Sequence, residues 1–199
     1  MKTVRFFLLA LASIALFVPQ SAQAQNQNLV EVAVSNDNFS TLVAAVKAAD
    51  LVETLSGEGP FTVFAPTNDA FSDLPNGLVE ALLQPENKSV LQQILTYHVV
   101  PGKLLAADVA QGISANNGML TATTASGGDF TVMRAWEDIR IQDGQNNMAN
   151  IVATDIIGTN GVIHIIDRVI LPKGLNVAAL LPSNNGHHRR TRRSSSNCH

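Results

Sequence analysis

Disulfides cannot hold this protein together. Its 199 residues include a single cysteine, Cys198, next to the last residue. With no internal pair to bridge, the fold must stand on its hydrophobic core. About 150 residues suffice for that, since a domain of that size buries roughly 68–70% of its unfolded surface. Basic residues are also scarce. Of 13, Lys2 and Arg5 lie at the extreme N-terminus and Arg189, Arg190, Arg192 and Arg193 lie in the C-terminal tail, leaving seven against 16 acidic residues. A body this acidic repels a phosphate backbone, so nucleic acid is excluded as a partner. Catalytic signatures are missing as well. There is no G-x-S-x-G elbow, no H-E-x-x-H, no P-loop and no G-x-G-x-x-G. Outside the tail the histidines are His98 and His164, both in apolar surroundings, and an enzyme is not expected. No cofactor is called for. Two distant histidines do not make a metal site, and His187, His188, Cys198 and His199 in the tail would chelate zinc or copper only adventitiously.

Long apolar runs are lacking too. Phe6 to Val18, broken only by Ser13, falls short of the ~20 residues that span a bilayer. It follows the positive Lys2 and Arg5 and precedes Ala22-Gln23-Ala24, a small-residue cleavage site. Residues 1–24 therefore read as a secretory signal peptide, with the mature chain starting near Gln25 and free of transmembrane segments. The polar C-terminus argues against a lipid-anchor tail. A secreted, extracellular protein is expected, periplasmic or at the cell surface if the host is bacterial.

What is present is periodic. Leu42, Ala45, Val46, Ala49, Val52 and Leu55 recur every three or four residues, which predicts one helix from an N-cap at Ser40 to Gly57. "FTVFA" (Phe61 to Ala65) reads as a buried strand. Asn68 reads as the cap of a short helix through Leu74, and another short helix covers Leu78 to Leu83. Asn87 to His98 places Val90, Leu91, Ile94, Leu95 and His98 on one helical face. From Met119 onward, turn clusters at Asn116-Asn117-Gly118, Gly127-Gly128-Asp129, Asp143-Gly144 and Asn160-Gly161 separate short apolar runs. Helices first and strands second predict an α+β domain. The run from Val162 to Leu171 is apolar on both strand faces, so it reads as central. A histidine there, His164, is expected to be a neutral, hydrogen-bonded core group, because an unpaired buried polar group costs roughly 1–3 kcal/mol. The same holds for His98.

After Pro172 the periodicity ends, and residues 173–199 read as a polar, basic tail, disordered from Pro182 onward. Arg189, Arg190, Arg192 and Arg193 give the tail two readings. They could grip an anionic polysaccharide, lipid or acidic partner, or they could be a solvated extension. Asn38-Phe39-Ser40 and Asn87-Lys88-Ser89 are glycosylation acceptors if the host is eukaryotic.

Three stretches together carry a resemblance. "FTVFAPTNDAF" (Phe61 to Phe71), "LTYHVVPGKL" (Leu95 to Leu104) and "TNGVIHIIDRVILP" (Thr159 to Pro172) resemble, in order and spacing, the first conserved block, the Tyr-His motif and the second conserved block of the fasciclin domain. The helix from Ser40 matches the opening of such domains, and the resemblance spans residues 28–172. It implies a β-sandwich or wedge with helices packed along it. It also implies an adhesion or matrix-organising role, as in animal matrix proteins, plant cell-wall proteoglycans and small secreted microbial proteins. The partner implied is a cell-surface or matrix protein or polysaccharide. In animal members an Asp-Ile pair just before the second block has been assigned to integrin binding, and Asp155-Ile156 occupies that place. Tyr97-His98 matches the Tyr-His motif, also credited with adhesion. Asp155 is expected to be accessible and His98 largely buried, so that a change at His98 acts through folding.

Overall fold

The first α-helix among the described residues is fixed by a reciprocal cap. Asn28 Oδ1 accepts from the Glu31 N–H, and Glu31 Oε2 accepts from the Asn28 N–H, which starts α1 (Leu29–Val34). The computed structural model describes residues 26–135 and 138–181. A 3-10 turn (Asp37–Phe39) leads into α2 (Ser40–Ala48) and α3 (Val52–Ser56). These were expected as one helix. The apolar stripe is buried as its spacing predicts, except for the half-buried Val52, but Asp50 adopts φ +54°, and the Leu51 N–H reaches back to the Val46 carbonyl. That left-handed closure ends α2 and starts a new axis.

Ser40 is not the cap of α2. Its role falls to Asn68, whose Oδ1 accepts from the Thr41 N–H at 3.0 Å and from Ser40 Oγ, while its Nδ2 donates to the Asp37 carbonyl at 2.8 Å. Asn68 in turn is not a cap but the first residue of α4 (Asn68–Ser72), which Thr67 caps. One amide thus ties two helix starts together. Asn68→Ala removes all three bonds and is expected to lower the free energy of unfolding by about 2 kcal/mol, read from the urea midpoint.

β1 (Phe61–Pro66) precedes α4, and α5 (Leu78–Leu82) and α6 (Lys88–Tyr97) follow it, with His98 as the C-cap of α6. Next come β2 (Val99–Pro101), α7 (Ala106–Ala115), β3 (Met119–Thr123), β4 (Asp129–Ala135), β5 (Asp138–Gln142), β6 (Met148–Gly158) and β7 (Gly161–Ile166). The seven strands lie in the order β2-β1-β7-β6-β5-β4-β3. Only β1 and β7 run parallel, with Phe61 opposite Gly161 and Pro66 opposite Ile166. A Cβ on Gly161 would sit 2.0 Å from the Phe61 carbonyl oxygen, so glycine permits that pair to close. The sheet curls until its ends meet, the Ala125 N–H beyond β3 donating to the Val99 carbonyl of β2 at 2.7 Å. The result is a nearly closed wedge of mixed helices and strands.

The curl creates two cores. Helices α1 to α6 cover one face of β1 and β7, burying Phe39, Leu42, Leu78, Leu91, Ala65 and Ile163. Inside the curl, Phe64, Tyr97, Phe130, Val132, Ile141 and Ile166 pack against Val109 and Ile113 of α7. Phe130 meets both Phe64 and Tyr97 edge to face.

β7 is central, as expected, but it ends at Ile166 rather than running on to Leu171. The segment after it is held by side chains from elsewhere. The chain also stays packed beyond Pro172. Leu175, Val177, Leu180 and Leu181 join the helical core around a 3-10 turn (Val177–Leu180), and Gln145 Nε2 donates to the Leu175 carbonyl at 2.7 Å. The expected boundary at Pro172 therefore falls inside the folded body, because four apolar side chains follow it. Among the described residues no helix is long and apolar enough to cross a membrane. The expected signal segment 1–24, the tail from Pro182 and the cysteine lie outside the described residues.

Candidate functional site

Asp155 sits where β6 breaks its register. Pairing with β7 shifts between Ile151 and Ala153 and again between Ala153 and Ile156, and Asp155 takes φ +59° within the bulge. That conformation is uncommon outside glycine, and aspartate is among the residues that tolerate it. Two contacts hold it there. Asp155 Oδ1 accepts from the N–H of Ala106, the first residue of α7, at 2.9 Å. The Asp155 N–H donates to His164 Nδ1 at 3.3 Å.

His164 is 1% exposed, and its other nitrogen lies 2.8 Å from the Leu104 carbonyl. Since Nδ1 accepts from a backbone N–H, the proton sits on Nε2 and donates to Leu104. The ring bridges β6 to the chain entering α7. The expected hydrogen-bonded core histidine is what the structure holds, with the Asp155 backbone as one of its two partners.

The exposed face of the bulge is partly apolar. Asp155 and Thr154 are exposed. Val152 at 57% and Ile157 at 46% are two of the five large apolar side chains left exposed among the described residues. Ile156 instead turns inward and packs half-buried on the helical core. Of the Asp-Ile pair, then, the aspartate faces solvent and the isoleucine mostly does not. The flanking Val152 and Ile157 escaped the sequence reading, because apolar strand residues look like core until the bulge is known.

Tyr97 and His98 are 0% and 2% exposed, so neither presents a surface to a partner. Tyr97 Oη donates to the Asp129 carbonyl at 2.7 Å. Burial raises its pKa above the usual 10.0, opposed by the Gly144 backbone and reinforced by the nearby charges of Asp143 and Asp129. His98 Nδ1 donates to the Ile94 carbonyl at 2.8 Å, and Nε2 accepts from the Ile170 N–H at 3.1 Å. Its tautomer is the opposite of that of His164. Burial lowers its pKa to about 4, the bond to Ile94 and the charge of Asp143 opposing that shift. With both nitrogens of both rings spent on the backbone, neither histidine can carry a proton to a substrate without breaking the fold.

Asp143, read from the sequence as a turn residue, is a buried anchor. Oδ1 accepts from the N–H groups of Gln145 and Asn147 at 2.9 and 2.7 Å, and Oδ2 from Asn147 Nδ2 and the Leu171 N–H at 3.1 and 3.0 Å. Among the described residues no group of three or more His, Cys, Asp or Glu side chains could hold a metal ion. Arg189, Arg190, Arg192 and Arg193 lie outside the described residues.

Comparison with known proteins agrees with this architecture. The fasciclin domain matches residues 37–172. Protein sll1483 of Synechocystis is 53% identical over 157 residues, covering 78% of this chain and 79% of that protein. Immunogenic protein MPB70 of Mycobacterium bovis is 35% identical over 160 residues, 77% of this chain and 74% of that one. Human periostin is 30% identical over 146 residues, 73% of this chain but only 16% of periostin. Among solved structures, a FAS1 domain pair from the insect cell adhesion molecule Fasciclin I superposes with a TM-score of 0.65 at 19% identity, covering 74% of this chain and 51% of that one. The curled seven-stranded wedge, the buried Tyr97-His98 pair and a match along most of the folded body lead to one conclusion: the chain belongs to the fasciclin domain family.

Proposed function

We propose that this chain is an exported adhesion module that holds a protein partner at the cell surface or in the surrounding matrix, with the bulge of β6 as its contact face. The observation that carries the reading is the composition of that bulge. A carboxylate is set on a fixed left-handed turn, its Oδ2 bonded to nothing among the described residues, between two exposed apolar side chains. Apolar anchors beside one oriented charge suit a protein contact. The structurally similar insect protein is itself a cell adhesion molecule, and the acidic body speaks against nucleic acid.

The test uses mature protein, residues 25–199, coated on a surface and offered to cells or native matrix. Val152→Asp combined with Ile157→Asp is expected to reduce attachment at least tenfold without changing the urea midpoint, because both side chains are exposed. Asp155→Asn separates charge from fold, since its side-chain oxygen can still accept from Ala106. Attachment unchanged in both variants would dismiss the bulge as the contact face. Loss of binding to an anionic polysaccharide column on deleting residues 183–199, with the bulge variants retained as before, would instead transfer the role to the arginine tail.

A further inference from the structure

Beneath the three N-terminal helices lies a cavity of about 50 Å³, partly open to solvent. That is several times the roughly 10–15 Å³ that one water needs. Val30 and Ala33 of α1, Val43 of α2 and Val52 of α3 form its half-buried lips, and Val63 of β1 and Ile163 of β7 form its floor. His98 also reaches it, but both ring nitrogens are engaged with Ile94 and Ile170, so the ring offers only carbon. Such walls give water no partner, and a cavity of this kind stays dry and takes apolar guests.

One charge stands at this cavity. Lys47, near the C-terminal end of α2, is the charged residue of the lining and is exposed. It makes no ion pair among the described residues. Asp50, three positions on, is already paired with Lys88. An unpaired cation at the mouth of an apolar slot, on a body otherwise rich in acid, is the pattern that receives an anion with a hydrocarbon tail.

We propose that this crevice binds a free linear fatty acid, its methylene chain in the slot between α1, α2 and α3 and its carboxylate at Lys47. The void is small, so in this conformation it takes only part of the chain. The lips can part to admit more of it. α1 has six residues and α3 has five, too short to be stable except by packing. Among the described residues the hydrogen bonds of α1 to other elements lie at its N-terminal end, the Leu29 N–H donating to Asn160 Oδ1 at 2.9 Å and the Thr159 N–H to the Gln27 carbonyl, while the rest of the helix is held by the packing of Val32 and its neighbours. It therefore pivots about that end as the chain enters.

The experiment titrates mature protein with linear fatty acids from hexanoate to dodecanoate and with the matching alcohols, all below the concentrations at which they self-associate. Methyl NMR is the readout. Shifts confined to Val30, Val43, Val52 and Ile163 are expected. Affinity should rise roughly fourfold per added methylene until the slot is full, the value for burying one CH₂. Lys47→Gln should weaken the carboxylates up to about fivefold and leave the alcohols unchanged, as an exposed ion pair predicts. Ala33→Phe should block the mouth and abolish both. Lys47 is exposed, so Lys47→Gln keeps the test alive if Ala33→Phe fails to fold. Shifts scattered over the surface, or a carboxylate affinity that Lys47→Gln leaves unmoved, would overturn the proposal. The Val152→Asp, Ile157→Asp protein should bind fatty acid as the parent does, so this site and the adhesive bulge stand or fall separately.

Discussion

Asp143→Asn is expected to lower the free energy of unfolding by about 3 kcal/mol, nearly as much as Asp143→Ala. The reason lies in what surrounds the carboxylate. All four of its bonds come from donors, three of them backbone N–H groups and the fourth Asn147 Nδ2. An amide in its place keeps the shape but turns an N–H₂ toward two of those donors. Hydrogen bonds to a charged group contribute about 1.5–3 kcal/mol each, and a buried donor left unpaired costs about 1–3 kcal/mol. The Leu171 bond matters most, since it fastens the segment after β7 to the β5–β6 turn. Urea unfolding of the two variants measures this directly. An Asn variant within 1 kcal/mol of the parent would show that the turn can repack around an amide.

The second large effect is acid sensitivity. The folded pKa of His98 is about 4 against an ordinary 6.5. Above pH 6.5 the ring is neutral in both folded and unfolded chains and pH has no effect through it. As pH falls from 6.5 toward 4, the unfolded chain takes up a proton that the folded one refuses, so stability declines. The slope approaches 1.4 kcal/mol per pH unit, and the loss totals about 3 kcal/mol by pH 4. Below that the native ring must protonate, and Nε2 would then turn a proton toward the Ile170 N–H it now accepts from. His98→Ala orphans that N–H and the Ile94 carbonyl and opens a cavity, and is expected to cost about 4 kcal/mol at neutral pH. If enough fold survives, its acid slope should be shallower than the parent's. A ring that titrates near 6.5 by NMR would contradict both statements.

These two anchors differ in how readable they are. His98 announced itself through its place on the apolar face of α6 and through the Tyr-His motif, and its burial followed from that. Asp143 did not, because Asp-Gly between apolar runs spells a turn whether its carboxylate points out or in. α7 was missed for a related reason. Gly112 lowers its helical propensity, and it sits where the packing is tight, a Cβ there lying 3.0 Å from Leu120 Cδ2. The break at Asp50 hid inside an unbroken apolar stripe, because burial is set by spacing while the helix axis is set by one backbone angle. At the bulge, the sequence pointed to Asp155-Ile156 but not to its geometry. The left-handed turn depends on Ala106 and His164, which no local pattern connects to it. Nor could strand alternation show that Val152 and Ile157 face outward, because two register shifts reset which face is which.

The parallel pairing of β1 with β7 also governs when this protein can become itself. Phe61 meets Gly161 about a hundred residues later in the chain. Everything between them must be present before the central rung forms, and closing so long a loop is entropically unfavourable. The short helices offer local contacts early, but the wedge has no stable half-way house, since both cores share β1 and β7. Folding of this kind belongs to the slow, non-local end of the range. A chain threaded outward from its N-terminus would have only β2 to set beside its first strand until the last of the seven strands had emerged.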